Sequence, residues 1–243
     1  MYARLALLAL PLALAGCGDG AGNSAAPAAP VAAVTAPAGQ NWIDTVVKTP
    51  EGGYRMGNPD APIKLVEYGA RSCPACGAFN RASAQALPEK YVSTGKVSFE
   101  FRDFLVHGIS DMPGALLASC AGPGPFFALT DAMYANQNDY LDRLQKLTDA
   151  EQKQLQAGSP GQAITFLAER GGLLELAKQR GIPEAKARQC LGDQKAIDAI
   201  VKMTETVSKD GSVSGTPTFY LNGEKVQAAD WPSIEAALKA AGA

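Results

Sequence analysis

From residue 41 onward, the hydrophobic and polar positions divide the chain into three parts. Ile63-Lys64-Leu65-Val66-Glu67-Tyr68-Gly69 is a β-rich run between the Asn58–Pro62 turn and a glycine, which predicts a strand. The next stretch carries Ala78, Phe79, Ala82, Ala86 and Leu87 on one side, and predicts a helix that Pro88 ends or kinks. Val97 to Asp103 alternates and predicts a second strand, parallel to the first across the helical crossover. From Asp111 to about Asp210 the period becomes helical. Met112, Leu116 and Cys120 share a face, Phe126 to Tyr134 is apolar, and Gly171-Gly172 separates Ile164 and Leu167 from Leu173, Leu176 and Ala177. Ala187, Cys190 and Leu191 share a short helix, and Ile197, Ile200, Val201, Thr204 and Val207 line a longer one. The tail returns to β: Gly215 to Leu221 leads into Asn222-Gly223, a strong hairpin signal, with Lys225 to Gln227 as the return strand. Asp230 is placed to cap a last helix containing Ile234, Ala237 and Leu238. The chain therefore reads as α/β, in the order βαβ, an all-helical insertion at about 111–210, then ββα.

Composition narrows the class. The 243 residues hold 22 Lys+Arg against 24 Asp+Glu, for a net charge of −2, with 47% hydrophobic residues and a single His. This is a globular composition without the basic stripe of a nucleic-acid binder. No apolar run reaches the 18 or so residues of a spanning helix. The first residues read as an address: Arg4, an apolar run from Leu5 to Leu14, then Leu14-Ala15-Gly16-Cys17. That ending resembles the lipobox of bacterial lipoproteins. The resemblance implies a signal peptide over 1–16, cleavage before Cys17, and lipid on its thiol holding the protein to a membrane. Gly18 to Gln40, rich in Ala, Gly and Pro, reads as a flexible linker. The folded domain is expected over 41–243.

The five cysteines are the best evidence of chemistry. An odd count in an exported protein calls for an explanation, and lipid on Cys17 leaves four. Cys73-Pro74-Ala75-Cys76 falls where the first strand turns into the helix. There the unpaired N–H groups and the helix dipole favour a thiolate on the first Cys, and the second lies one turn on. Pro74 suits the first helical position because it has no N–H to lose. The same pair could be half of a structural zinc site or an inert disulfide. Zinc wants further ligands at matching spacing, and only Cys120, Cys190 and His107 remain. Cys120 and Cys190 read either as buried free thiols or, as export favours, as a disulfide closing a loop of about 70 residues.

Glu67, Cys73-Pro74-Ala75-Cys76, the helical insertion and Thr216-Pro217 before the last hairpin together resemble the DsbA-like branch of the thioredoxin superfamily. The resemblance implies a thioredoxin fold with Cys73 and Cys76 as a redox pair and a cis Pro217 facing it. Thr216 would offer backbone hydrogen bonds to a substrate strand, and Glu67 would be a buried acid serving Cys76. Against this, Pro217 could be a trans residue at a strand start, and Glu67 could point to solvent. The resemblance further implies exchange of disulfides with reduced exported proteins and reoxidation by a membrane partner of the DsbB type. It implies no cofactor besides the cysteine pair. The protein is expected to be a monomer in the periplasm, lipid-anchored, with no nucleic-acid partner. Ala75 stands where strongly oxidising members have His, which implies a less oxidising couple. A reductase or isomerase, or a binding protein with an inert pair, are the other readings. His107, after the second strand, reads as a solvent loop residue or as a neighbour of the pair.

Overall fold

The computed structural model describes residues 29–243. The expected signal peptide and Cys17 lie outside the described residues. Six strands form one sheet in the order β1-β2-β4-β3-β5-β6. They are β1 (Val46–Lys48), β2 (Tyr54–Met56), β3 (Ile63–Gly69), β4 (Val97–Asp103), β5 (Thr218–Leu221) and β6 (Glu224–Val226). The central pair, β3 and β4, is parallel, with Glu67 opposite Phe101. All other pairings are antiparallel. Between β3 and β4 runs α1 (Pro74–Ser83), and after β4 come eight helices: α2 (Met112–Cys120), α3 (Pro123–Ala135), α4 (Gln137–Gln145), α5 (Asp149–Ala157), α6 (Pro160–Arg170), α7 (Leu173–Gln179), α8 (Glu184–Leu191) and α9 (Gln194–Lys209). The chain then returns through β5 and β6 to α10 (Trp231–Ala240). The βαβ, helical insertion, ββα order is as expected. None of the helices described is long and apolar enough to cross a membrane.

Local chemistry sets the boundaries. Asn222 (φ 52°) and Gly223 (φ 87°) make the β5–β6 turn in the left-handed region that such a hairpin requires, and the return strand starts at Glu224, one residue early. The Asp230 side chain accepts the Ser233 N–H at 3.0 Å and caps α10. Pro88 acts upstream of itself: it cannot bond the carbonyl four residues back, and α1 ends at Ser83, just before that residue. The buried face of α1 is Cys76, Gly77, Phe79 and Ser83, while Ala78 and Ala82 are exposed. The helix thus buries Phe79 against Phe219 and Trp231 and sets three small residues, Cys76, Gly77 and Ser83, on the same side.

Two cores meet at α3. One lies between the sheet and α1 and α10, and includes Leu65, Phe79, Phe101, Phe219 and Leu238. The other fills the insertion, around Leu116, Leu117, Ile164 and Leu191. In α3, Phe126 and Tyr134 enter the first core and Leu129 and Met133 the second. Apolar residues all round its axis let it join the two. Cys120 and Cys190 form a disulfide at the ends of α2 and α8, both partly exposed, with Cys120 packed on the edge of the second core.

Three features depart from expectation. The β1–β2 hairpin escapes notice because three-residue strands are too short to show a period. α4 and α5 escape because they bury little: Gln137 and Tyr140 in α4, and no residue of α5. The Thr148–Glu151 capping box that starts α5 was there to be read. The linker also ends sooner than expected, since residues 31–36 already belong to the fold. Val31 N–H donates to the Gly242 carbonyl at 2.8 Å, and Val34 N–H to that of Thr94 at 2.9 Å. The Trp42 indole N–H donates to the Val34 carbonyl at 2.7 Å, and Val31 and Ala36 pack on the first core. Sparse apolar residues suffice when an existing core edge receives them.

Replacing both Cys120 and Cys190 by Ala should lower the unfolding free energy by on the order of 4 kcal/mol, as expected for a loop of this size. Urea unfolding measures it, and an unchanged midpoint would remove the disulfide's role as a staple.

Candidate active site

Gly69 ends β3, and Ala70 to Ser72 turn the chain into α1. Cys73 is the N-cap, in an extended conformation (φ −76°, ψ 119°), and its Sγ accepts the Cys76 N–H at 3.4 Å. Pro74 occupies the first turn and, with Ala75, is exposed. Cys73 is 6% exposed and Cys76 fully buried, and both are free thiols. From the other half of the fold the Thr216–Pro217 peptide, which is cis, comes up to the pair. The Thr216 carbonyl oxygen lies 3.3 Å from Cys73 Sγ. A groove of about 480 Å³ runs along Gly215–Thr218 and Lys225–Ala229.

The two sulfurs have opposite proton affinities. Cys73 is lowered to about 5, first by the hydrogen bond from the Cys76 thiol, helped by the backbone N–H groups of Cys76 and Ala75, against the effect of burial. Cys76 is pushed well above the usual thiol range, by burial first, then by its hydrogen bond to Cys73 and by the charges of Glu67 and Cys73. Glu67 is 3% exposed, and its Oε1 has no hydrogen-bond partner. Burial, and next the negative charge of Cys73, raise its carboxyl to about 8. Its direction follows from strand parity. It is in phase with Ile63 and Leu65, which face the helices, whereas Lys64 and Val66 on the other face are exposed and partly exposed. The strand is therefore not buried equally on both faces, and the side matters.

The insertion holds the 70–73 turn through residues that the sequence did not single out. Gln137 Nε2 donates to the carbonyls of Arg71 (2.9 Å) and Cys73 (2.7 Å). Tyr134 OH donates to the Ala70 carbonyl at 3.2 Å. A Cβ on Gly77 would collide with the Gln137 amide, so this approach needs glycine. Buried Arg71 pairs with Asp103 at the end of β4, donates to Thr130 Oγ1 at 3.0 Å, and stacks over Phe101 and Phe126. Only the phase of α3 and α4 relative to the turn could have revealed these contacts. His107 is an exposed loop residue that touches the active-site turn and not the sulfurs: its half-exposed ring places Nδ1 2.7 Å from the hydroxyl of Ser72, the residue before Cys73. Ser72 in turn bonds Asp111, which also accepts the His107 N–H at 2.6 Å.

A model of the thioredoxin family, described as "Thioredoxin", matches residues 49–240. The chain belongs to that family. Among curated relatives of this thioredoxin-family chain, a Rickettsia bellii protein named as a protein-disulfide oxidoreductase is 25% identical over 191 residues, covering 79% of this chain and 65% of the relative. Disulfide bond formation protein D of Bacillus subtilis is 24% identical, covering 74% and 72%. The chain spans 55% to 65% of the length of the Rickettsia relatives it matches. Among solved structures, a protein-disulfide isomerase of Novosphingobium aromaticivorans is 28% identical at a TM-score of 0.73, covering 78% of this chain and 96% of that one. Wolbachia pipientis α-DsbA1, 21% identical at 0.57 and covering 76% and 87%, shares the fold, a DsbA-like thioredoxin fold with a helical insertion.

Two outcomes follow for the reduced and the oxidised protein. Titration of the reduced protein, followed by thiolate ultraviolet absorbance, should show a midpoint near about 5, and Cys76→Ala should move it upward by removing the main donor. A raised Glu67 favours folding fully below the unfolded carboxyl value, 4.5, and loses that contribution as pH rises through about 8. In the oxidised protein Cys73 carries no charge and burial is the main cause that holds Glu67 up, so stability to urea should fall as pH rises above 4.5, and Glu67→Gln should flatten the decline. A parallel decline in the variant would contradict the assignment.

Proposed function

We propose that this protein is a thiol–disulfide oxidoreductase that exchanges disulfides with exported proteins through Cys73 and Cys76, working as an oxidase. The observation that carries the reading is two free thiols one helical turn apart at the start of α1, the first facing the cis Thr216–Pro217 peptide, in surroundings that lower the proton affinity of Cys73 and raise that of Cys76. In the oxidising direction, a substrate thiolate attacks Cys73 Sγ of the Cys73–Cys76 disulfide. The S–S bond breaks, and Cys76 leaves as a thiolate that takes a proton from Glu67. A second substrate thiolate then attacks the substrate sulfur of the mixed disulfide and releases Cys73, whose low proton affinity makes it a good leaving group. The groove beside Thr216 and Pro217 suits an extended substrate segment, with the Thr216 backbone as its hydrogen-bonding partner. Glu67 is the proton relay for Cys76, and Pro74 and Ala75 form the exposed lip of the active-site turn.

The remaining parts of the reading come from the sequence. Lipid on Cys17 would hold the domain at the periplasmic face of an envelope membrane, where reduced exported proteins pass. A quinone-linked membrane partner of the DsbB type would reoxidise the pair, with no small cofactor. The protein acts as a monomer. The likeness to a protein titled a disulfide isomerase favours a second reading, in which a membrane donor keeps the pair reduced. Ala75, in place of a second thiolate stabiliser, is compatible with either direction.

Two assays with the purified protein separate these readings. Oxidation of a reduced, unfolded protein, lost on Cys73→Ser, without reduction of insulin is the expected result. The reverse pattern supports the reducing direction, and activity in neither assay would sink the oxidoreductase reading. Ala75→His should raise the redox potential by on the order of 30 mV, as a roughly tenfold gain in relative stability of the reduced form would. Equilibration with glutathione measures it.

A further inference from the structure

A group that hands protons to Cys76 must recover them from solvent, and Glu67 is too buried to do so directly. Its neighbour across the parallel register is Phe101, which carries no proton. A cavity of about 30 Å³ adjoins it. The polar lining of that cavity is Glu67, Asn80, Ser83, Thr130, Asp131 and Tyr134, and the rest of the wall is apolar. The space suffices for a water molecule, and the polar groups match the two to four partners that an internal water needs. Asp131 lies on α3 at the outer side of this lining. It is partly exposed, and its Oδ1 accepts the Asn80 amide at 2.7 Å.

We propose that Asp131 is the proton port of the active site, passing protons between solvent and Glu67 through a water molecule in this cavity. The proposal rests on the reading of Glu67 as the relay. When Cys76 leaves as a thiolate it takes the Glu67 proton. The Glu67 carboxylate takes one from the water, which takes one from Asp131, which is reprotonated by solvent. In the reverse direction every transfer runs the other way, so no proton is left over.

The other ionisable groups around Glu67 are unsuited to the task. Cys73 and Cys76 on α1 are the reacting sulfurs. Arg71 holds its proton and is tied to Asp103 on β4. Tyr134 on α3 is pushed well above the ordinary phenol value by burial. Asp131 is the remaining acid acting on Glu67, and its negative charge helps Glu67 keep its proton. Burial also raises Asp131 itself, against the pull of the Asn80 hydrogen bond.

The test follows the reduced protein reacting with a small disulfide under rapid mixing, where resolution of the mixed disulfide requires Cys76 to lose its proton. Asp131→Asn keeps an oxygen for Asn80 and removes the acid. It should slow resolution about tenfold, a modest share of what acid–base groups supply. Its Cys73 titration should be unchanged, and added imidazole buffer should restore the rate. Glu67→Gln should be slower still, and the double variant no slower than Glu67→Gln alone. If Glu67→Gln is slow and Asp131→Asn runs at the unaltered rate, the port is wrong and the relay stands. If Asp131→Asn is slow without rescue by imidazole, or the two effects multiply, the port is likewise overturned. If Glu67→Gln itself runs at the unaltered rate, the relay fails and the port with it.

Discussion

A sulfur anion at the start of α1 needs stabilisation, and here it comes from hydrogen bonds rather than from a neighbouring cation. The donors are the Cys76 thiol and the backbone N–H groups of the first turn, while the Thr216 carbonyl that faces Cys73 from across the fold can only accept. This constraint fixes much else. Cys76 must keep its proton to be a donor, so it must be buried. A buried thiol that reacts needs a buried partner to take its proton, and Glu67 sits in that environment with its own proton held. Opposite charge states within a few ångströms are sustained by desolvation on one side and N–H groups on the other.

The helical insertion matters because the turn that carries the thiolate has few contacts of its own. Tyr134, Gln137 and Thr130 reach it from α3 and α4, by way of the carbonyls of Ala70, Arg71 and Cys73 and the Arg71 guanidinium. These buried polar contacts are satisfied only when the insertion is docked. Geometry at Cys73 is therefore coupled to the packing of α3, the helix that joins the two cores. The Cys120–Cys190 disulfide ties α2 to α8 within the same insertion. Ser72, His107 and Asp111 tie the other flank of the turn to the loop after β4.

Periodicity or an apolar run made β3, β4, α10 and most of the insertion legible, whereas for α1 it located the helix but not its buried face, since Ala78 and Ala82 are exposed. The cysteine pair was legible because a helix start with Cys, Pro and Cys has few other uses. The direction of Glu67 was not legible in this way: the resemblance implied a buried acid, and strand parity settles it only once the face carrying Ile63 and Leu65 is seen to be buried. Short or solvated elements left no such record: β1 and β2 have too few residues, and α5 buries none. The 31–36 segment reads as linker because its few apolar residues find partners only in the Gly242, Thr94 and Trp42 region.

The sequence by itself determined the order of elements and the place of the cysteine pair at a helix start, since both depend on local spacing and hydrogen-bonding capacity. The fold decided what surrounds them. Thr216 reaches Cys73 across a separation of 143 residues, and Gln137 across 64. Whether a thiol near a helix start is held as an anion depends on which donors and how much water come within a few ångströms. Those distances arise only when distant segments are packed together.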